Sequence, residues 1–221
     1  LSFISYKKLT GVFIDEMSGV IGYSEDSASW FDLSLASRFP KETADRMKYE
    51  ATRSVQDYLY EMIGKTFSGE EYLIPEDIIP DPQPYLVGIE ARAGARWETK
   101  RWNAYPQLAE KLERHGFNVR FFTQREYIKD YMRDIAQCCL VITGDTLAMH
   151  CALALKIPVV ALFTCTSPSE IYDYQRMQKV ISPCLWDAFY KTTYIPQAVE
   201  SISEEVVWEA VEKAIHLYNK R

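Results

Sequence analysis

The chain has 221 residues, 25 Lys and Arg against 31 Asp and Glu, and a net charge of −6. Hydrophobic residues make up 48% and charged residues 25%, a balance that excludes disorder, collagen-like sequence and coiled coil. There is no basic excess to track a phosphate backbone, so no nucleic-acid partner is expected. A local phosphate site needs only a few amides and one or two cations.

The five cysteines, Cys138, Cys139, Cys151, Cys165 and Cys184, contain no Cys-x-x-Cys pair. They read as buried thiols in a reducing compartment, with neither a disulfide frame nor a metal site. No apolar run approaches the ~20 residues of a membrane span. The opening Leu1-Ser-Phe-Ile-Ser-Tyr-Lys-Lys has too short an apolar core for a signal peptide. It also lacks an initiator Met, and against about 150 residues per domain the length is awkward. The expectation is a piece of a longer protein.

In chain order, residues 1–39 are rich in aromatics and serine without a sustained period, and 11–23 suits one or two short strands. From 43 to 63, Met47, Ala51, Val55, Tyr58, Leu59 and Met62 recur at helical spacing, which predicts a core-packing amphipathic helix stopped at Gly64. Pro75, Pro80, Pro82 and Pro84 make 75–84 a stiff extended connector. The domain reading is therefore 1–74 as the remnant of one domain, 75–84 as linker and 85–221 as a second domain.

Beyond the connector, short apolar strands at 85–90, 117–122, 139–143, 159–163 and 179–182 alternate with helices. Those helices are predicted at 103–115, 125–137, 146–155 and 204–218, with a short one near 169–174. Gly116 stops the first, and Pro158 forbids continuation of the third. Alternating strands and helices, with near-continuous apolar strands, call for an α/β, Rossmann-like parallel sheet with helices on both faces. In such a sheet ligands bind beyond the carboxyl ends of the strands. The loops there are 91–101, 124–126, 144–146 and 164–168.

Three of these loops carry suggestive residues. In Ile142-Thr-Gly-Asp145-Thr146-Leu147-Ala-Met-His150 a strand ends at a glycine, an acid follows and a helix begins. Free amides at Thr146 and Leu147 with the helix dipole would attract a diphosphate, whereas Asp145 would repel it and suits sugar hydroxyls. His150, one turn on, would donate to a phosphate or hydroxyl. Equally, Asp145 caps the helix and His150 is a satisfied core histidine. Gly94-Ala95-Arg96-Trp97-Glu-Thr-Lys100-Arg101-Trp102 joins a permissive glycine to three cations, which fits either a phosphate or a solvated basic turn. Thr164-Cys-Thr166-Ser167-Pro168-Ser-Glu170 would hold a diphosphate or ribose, or simply cap a helix. There is no P-loop, GxSxG, HExxH or dinucleotide GxGxxG signature.

The runs 94–102, Asp145-Thr-Leu-Ala-Met-His150, Pro158-Val-Val-Ala-Leu-Phe163 and Thr166-Ser-Pro-Ser-Glu170 together resemble glycosyltransferase family 9, the ADP-heptose:lipopolysaccharide heptosyltransferases and their relatives. The likeness covers about 84–182. It implies a GT-B fold of two Rossmann-like domains, of which this chain holds the donor-binding half and a partial N-terminal acceptor-side lobe.

By this resemblance Asp145 and His150 bind the donor sugar. Gly94, Ala95, Lys100, Thr146, Leu147, Thr166 and Ser167 surround the phosphates, and Gln124 and Glu126 lie toward the nucleoside. The implied reaction is metal-independent transfer of a sugar with inversion, with no cofactor beyond the ADP-sugar substrate. The acceptor would be a hydroxyl on lipopolysaccharide or another glycan. The family's general base belongs to the start of the acceptor domain, so no catalytic residue is expected in this chain. Of a cysteine cluster that some relatives carry after the Thr-Ser-Pro loop, only Cys184 stands here. The implied location is cytoplasmic, with room for peripheral contact at the inner membrane through a preceding N-terminal region. Competing readings are a UDP-sugar-using GT-B transferase and a non-catalytic nucleotide-sugar-binding or scaffold domain.

Overall fold

The computed structural model describes residues 40–62 and 65–218. The strands expected in 11–23 and the stop at Gly64 lie outside these residues. By contact the chain divides into two units, Leu1–Glu70 with Ser169–Tyr172, and Glu71–Pro168 with Asp173–Arg221.

In the first unit the periodic stretch forms two helices, α1 (Lys41–Glu50) and α2 (Val55–Met62), where one was expected. Ala51 leaves helical space at ψ 138°, and Ser54 opens α2 through a reciprocal cap. The Ser54 amide and hydroxyl donate to Asp57 Oδ2 at 2.8 and 2.7 Å, and the Asp57 amide returns a bond to Ser54 Oγ at 3.2 Å. This is a capping box with Asp in place of Glu. Ala44 and Tyr58 are buried, with Met47, Ala51 and Val55 packed around them.

The second unit carries a five-stranded parallel sheet: β1 (Leu86–Glu90), β2 (Asn118–Phe121), β3 (Leu140–Gly144), β4 (Val159–Phe163) and β5 (Met177–Ile181). Their spatial order is β2-β1-β3-β4-β5. The helices are α3 (Tyr105–Arg114), α4 (Ile128–Ala136), α5 (Leu147–Ala154), α6 (Leu185–Ala188), α7 (Pro196–Glu200) and α8 (Glu204–Tyr218). Strands β1, β3 and β4 are buried along their whole length, which requires cover on both faces.

Val87, Ile89, Leu140, Ile142, Val160 and Leu162 turn to one face. There they pack with Leu108 and Leu112 of α3 and Val207, Val211 and Ala214 of α8. The alternate residues turn to the face covered by α4 and α5, which bury Tyr131, Met132, Ile135, Met149 and Leu153. Gly116, at φ +86°, ends α3 as expected, with the Phe117 amide returning to Leu112 O at 3.1 Å.

Two local findings differ from the sequence reading or add to it. The helix expected near 169–174 is absent: these residues form turns, and Tyr174 and Gln175 take left-handed φ of 51° and 56°, which a helix cannot absorb. The proline-rich stretch runs along the end of α4, where the Asp81 and Gln83 amides donate to Ala136 O and Gln137 O at 3.0 and 2.8 Å.

The strand order also locates the functional crevice. Chain connections leave β1 toward β2 on one side and reach β3 on the other, so the crossovers part between β1 and β3. The gap beyond the carboxyl ends of those two strands is the switch point at which open α/β sheets bind ligands.

Candidate functional site

A pocket of about 580 Å³ opens at that switch point, within the range that nucleotide-sized ligands occupy. Its walls come from the ends of three strands: Glu90, Arg92, Ala93 and Gly94 at and after β1, Gln124 to Ile128 with Tyr131 after β2, and Thr146, Leu147 and Ala148 after β3. Of the expected site residues, Gly94, Thr146, Leu147, Gln124 and Glu126 line it. Ala95, Lys100, Asp145, His150, Thr166 and Ser167 are not among its walls.

The start of α5 supplies the anion-attracting feature. Thr146 is the cap, in extended conformation (φ −138°, ψ 176°), and its side chain does not close the helix end. Its hydroxyl meets Thr143 Oγ1 at 2.8 Å instead. The amides of Leu147 and Ala148 begin the helix without an intrahelical acceptor, and the helix dipole adds about half a positive charge there. Leu147 is 56% exposed at the pocket wall.

Gly94 lines the same pocket. No atom lies within 4 Å of where a Cβ would be, and its φ is −60°. The fold makes no demand for glycine at this position; the open space belongs to the pocket.

The charged residues behave differently. Lys100 Nζ donates to Asp145 Oδ2 at 2.7 Å and to Asp145 O at 2.8 Å, and Thr166 Oγ1 donates to the same Oδ2 at 2.7 Å. Both side chains of the pair are largely shielded, at 14% and 16% exposure. Gly144 makes this possible: a Cβ there would sit 2.8 Å from the Lys100 carbonyl.

Further bonds fix the turn 95–100. Thr164 Oγ1 donates to Thr99 O at 2.6 Å, and the Ile195 amide donates to Thr99 Oγ1 at 3.1 Å. Among the described residues Lys100 thus spends two of its three donors on Asp145, and Asp145 keeps Oδ1. Ser167 is buried at 1% exposure. His150 turns to Tyr72, whose hydroxyl lies 3.3 Å from Nδ1. Burial depresses the imidazole below its ordinary value; Asp145 opposes that shift and Lys100 adds to it.

One group that the sequence reading passed over is prominent. Glu90, the last residue of β1, is 5% exposed. Its carboxylate accepts from the Arg92 amide, Nε and Nη2 at 2.9, 2.9 and 2.7 Å, and from Tyr131 OH at 2.6 Å. Burial and then the Glu90 carboxylate push the Tyr131 phenol upward. The Glu90 bond likewise raises Arg92. An acid closing an apolar strand two residues before an arginine was the available signal.

Among the described residues no three His, Cys, Asp or Glu side chains gather as a metal ion would require. The cysteines are scattered, and burial pushes Cys138 up to about 12 and Cys151 and Cys165 up to about 11. No described helix is long and apolar enough to cross a membrane.

Residues 126–193 match the model of glycosyltransferase family 9 (heptosyltransferase). That stretch holds α5 and the Thr-Ser-Pro loop but not the turn at Gly94. No curated protein matches the chain. The fold is similar to that of TibC, a dodecameric iron-containing heptosyltransferase solved in complex with ADP-D-β-D-heptose. The TM-score is 0.57 at 13% identity, over 76% of this chain and 55% of that one. A second TibC structure, from enterotoxigenic E. coli H10407, gives 0.53 at 14% identity over 74% and 53%. A glycosyltransferase family 9 structure from Veillonella parvula DSM 2008 gives 0.49 at 19% identity over 75% and 61%. The chain spans little more than half the length of the TibC chains it resembles. The stretch that builds the α5 side of the pocket matches the model of glycosyltransferase family 9, the family that the sequence resembles.

Proposed function

We propose that the chain is the donor-binding part of an inverting glycosyltransferase that moves a sugar, a heptose, from ADP to a hydroxyl of a lipopolysaccharide-type acceptor. One observation carries this reading. The 580 Å³ pocket lies at the switch point between β1 and β3, with the free amides of α5 in its wall, inside the stretch that matches the family.

Each residue then has a physical task. Leaving-group departure places negative charge on the diphosphate, and preorganised amides at Leu147 and Ala148 stabilise it at no reorganisation cost. Gly94, with nothing within 4 Å of its Cβ position, leaves the pocket open for close approach. Gln124 and Glu126 line the part of the pocket toward the nucleoside. Asp145, held by Lys100 and Thr166, offers Oδ1 to a sugar hydroxyl, and the third donor of Lys100 serves a phosphate oxygen. A general base from the acceptor-side domain would take the acceptor proton. That TibC binds an ADP-heptose supports the choice of ADP over other nucleotides.

A thermal-shift panel of ADP, UDP, GDP and their sugars tests the reading. At a hundredfold excess over Kd a ligand stabilises by about 2.7 kcal/mol, roughly 5–10 °C for a chain of this size. ADP and ADP-heptose are expected to give that shift. A larger shift with UDP-sugars would point to a UDP-using transferase, and no shift with any nucleotide would overturn the reading.

A further inference from the structure

Resting on the donor reading above, we infer that Tyr72 is a positioning residue for His150: its hydroxyl holds the ring as the tautomer protonated on Nε2, which leaves that N–H to donate to the sugar end of the donor. The contact is Tyr72 OH to His150 Nδ1 at 3.3 Å, with the rings edge-to-face at 6.5 Å. Among the described residues this is the one side-chain hydrogen bond of the His150 ring.

The direction of the bond follows from acid strength and burial. Desolvation favours the neutral imidazole, in which one nitrogen donates and the other accepts. A phenol O–H is a stronger acid than a neutral imidazole N–H, so the phenol donates and Nδ1 accepts. The proton is then on Nε2. The charged groups acting on the ring are Asp145 and Lys100, the same pair assigned to the donor sugar and phosphates.

Tyr72 is itself fixed from behind. Its ring packs on Tyr174 at 5.4 Å, and the Arg176 guanidinium lies 4.5 Å over the Tyr174 ring. Arg176 is 5% exposed. It donates to Leu153 O of α5 at 2.7 Å and to Glu71 Oε1 at 2.8 Å. The residue beside Tyr72 is thus clamped to the helix that bears His150. The left-handed φ of Tyr174, 51°, is backbone strain placed within this stack. A tyrosine that only filled space would need neither the hydroxyl contact nor the clamp.

Tyr72→Phe keeps the ring and removes the hydroxyl. The experiment records ¹⁵N shifts of the His150 ring across pH in the full chain and in this variant, then measures ADP and ADP-heptose affinity by calorimetry. The expected wild-type spectrum shows Nε2 protonated and Nδ1 as acceptor. In Tyr72→Phe the tautomers mix, the imidazole titrates at higher pH, and ADP-heptose affinity falls about tenfold while ADP affinity holds. A wild-type ring protonated on Nδ1, or a variant with unchanged tautomer and affinities, overturns the assignment to Tyr72. A wild-type chain that binds neither ADP nor ADP-heptose overturns the donor reading instead, and the ring spectrum separates the two failures.

Discussion

The crevice beyond β1 and β3 has two parts of opposite character. On one side Lys100, Asp145 and Thr166 are locked to one another, shielded from solvent and held by a carbonyl that approaches Gly144. On the other, Gly94, Thr146, Leu147 and Ala148 border open volume with backbone amides, in a wall whose arginines, Arg92 and Arg125, are paired with Glu90 and Asp134. Lys100 and the pocket's two arginines each satisfy an acid, and the amides at the head of α5 meet the open space without an intrahelical acceptor. Paired charge here sets the shape of the site, while the dipoles at the head of α5 are left without a counter-charge.

Substitutions around the crevice should show which of these groups hold the fold and which hold the ligand. The largest loss is expected at Glu90→Gln, beside the open part. It removes a buried carboxylate that holds Arg92 and Tyr131, at a cost of about 2–4 kcal/mol, readable by denaturant unfolding. Asp145→Ala strands Lys100 and, on the proposed donor reading, removes a charge-assisted bond to the sugar. ADP-heptose affinity should fall by about 1.5–3 kcal/mol with ADP affinity nearly intact; equal losses in calorimetry would make Asp145 a structural lock alone.

The two glycines sharpen the contrast. Gly144→Ala drives a methyl against the Lys100 carbonyl and should cost about 1–3 kcal/mol of stability. Gly94→Ala should leave stability within about 0.5 kcal/mol and weaken ADP about tenfold. The smallest effect concerns pH. The folded-state His150 titrates below its ordinary value of 6.5, so the unfolded chain binds the proton first. Its contribution is complete above that ordinary value and is lost as pH falls through the depressed one. Unfolding midpoints measured from pH 8 to 5 should show this loss in wild type and less of it in His150→Gln.

What could be read from the sequence follows the range of the interactions involved. Strands such as 159–163 announce themselves as continuous apolar runs, and Gly116 marks a stop through local backbone geometry. The glycine-acid-helix order at 144–147 likewise located the end of β3 and the start of α5. Other features needed the fold. Lys100 and Asp145 are 45 residues apart and meet only because β1 and β3 are neighbours, so each looked available to a ligand. Tyr72 carries no local signal at all, since its partner lies 78 residues away.

Two misreadings were local. Ser54 and Asp57 have capping-box spacing that a continuous apolar period concealed. Ser169 and Glu170 mimic a helix start, but the left-handed pair Tyr174 and Gln175 follows.

The central claim is that backbone amides at the head of α5 receive the donor's diphosphate. Titrating ¹⁵N-labelled protein with ADP and following backbone amide shifts tests it directly. Saturable, downfield movement is expected, greatest at Leu147 and Ala148, with smaller changes at Gly94, Gln124 and Glu126. Saturable binding that leaves Leu147 and Ala148 unmoved while other resonances shift would contradict it.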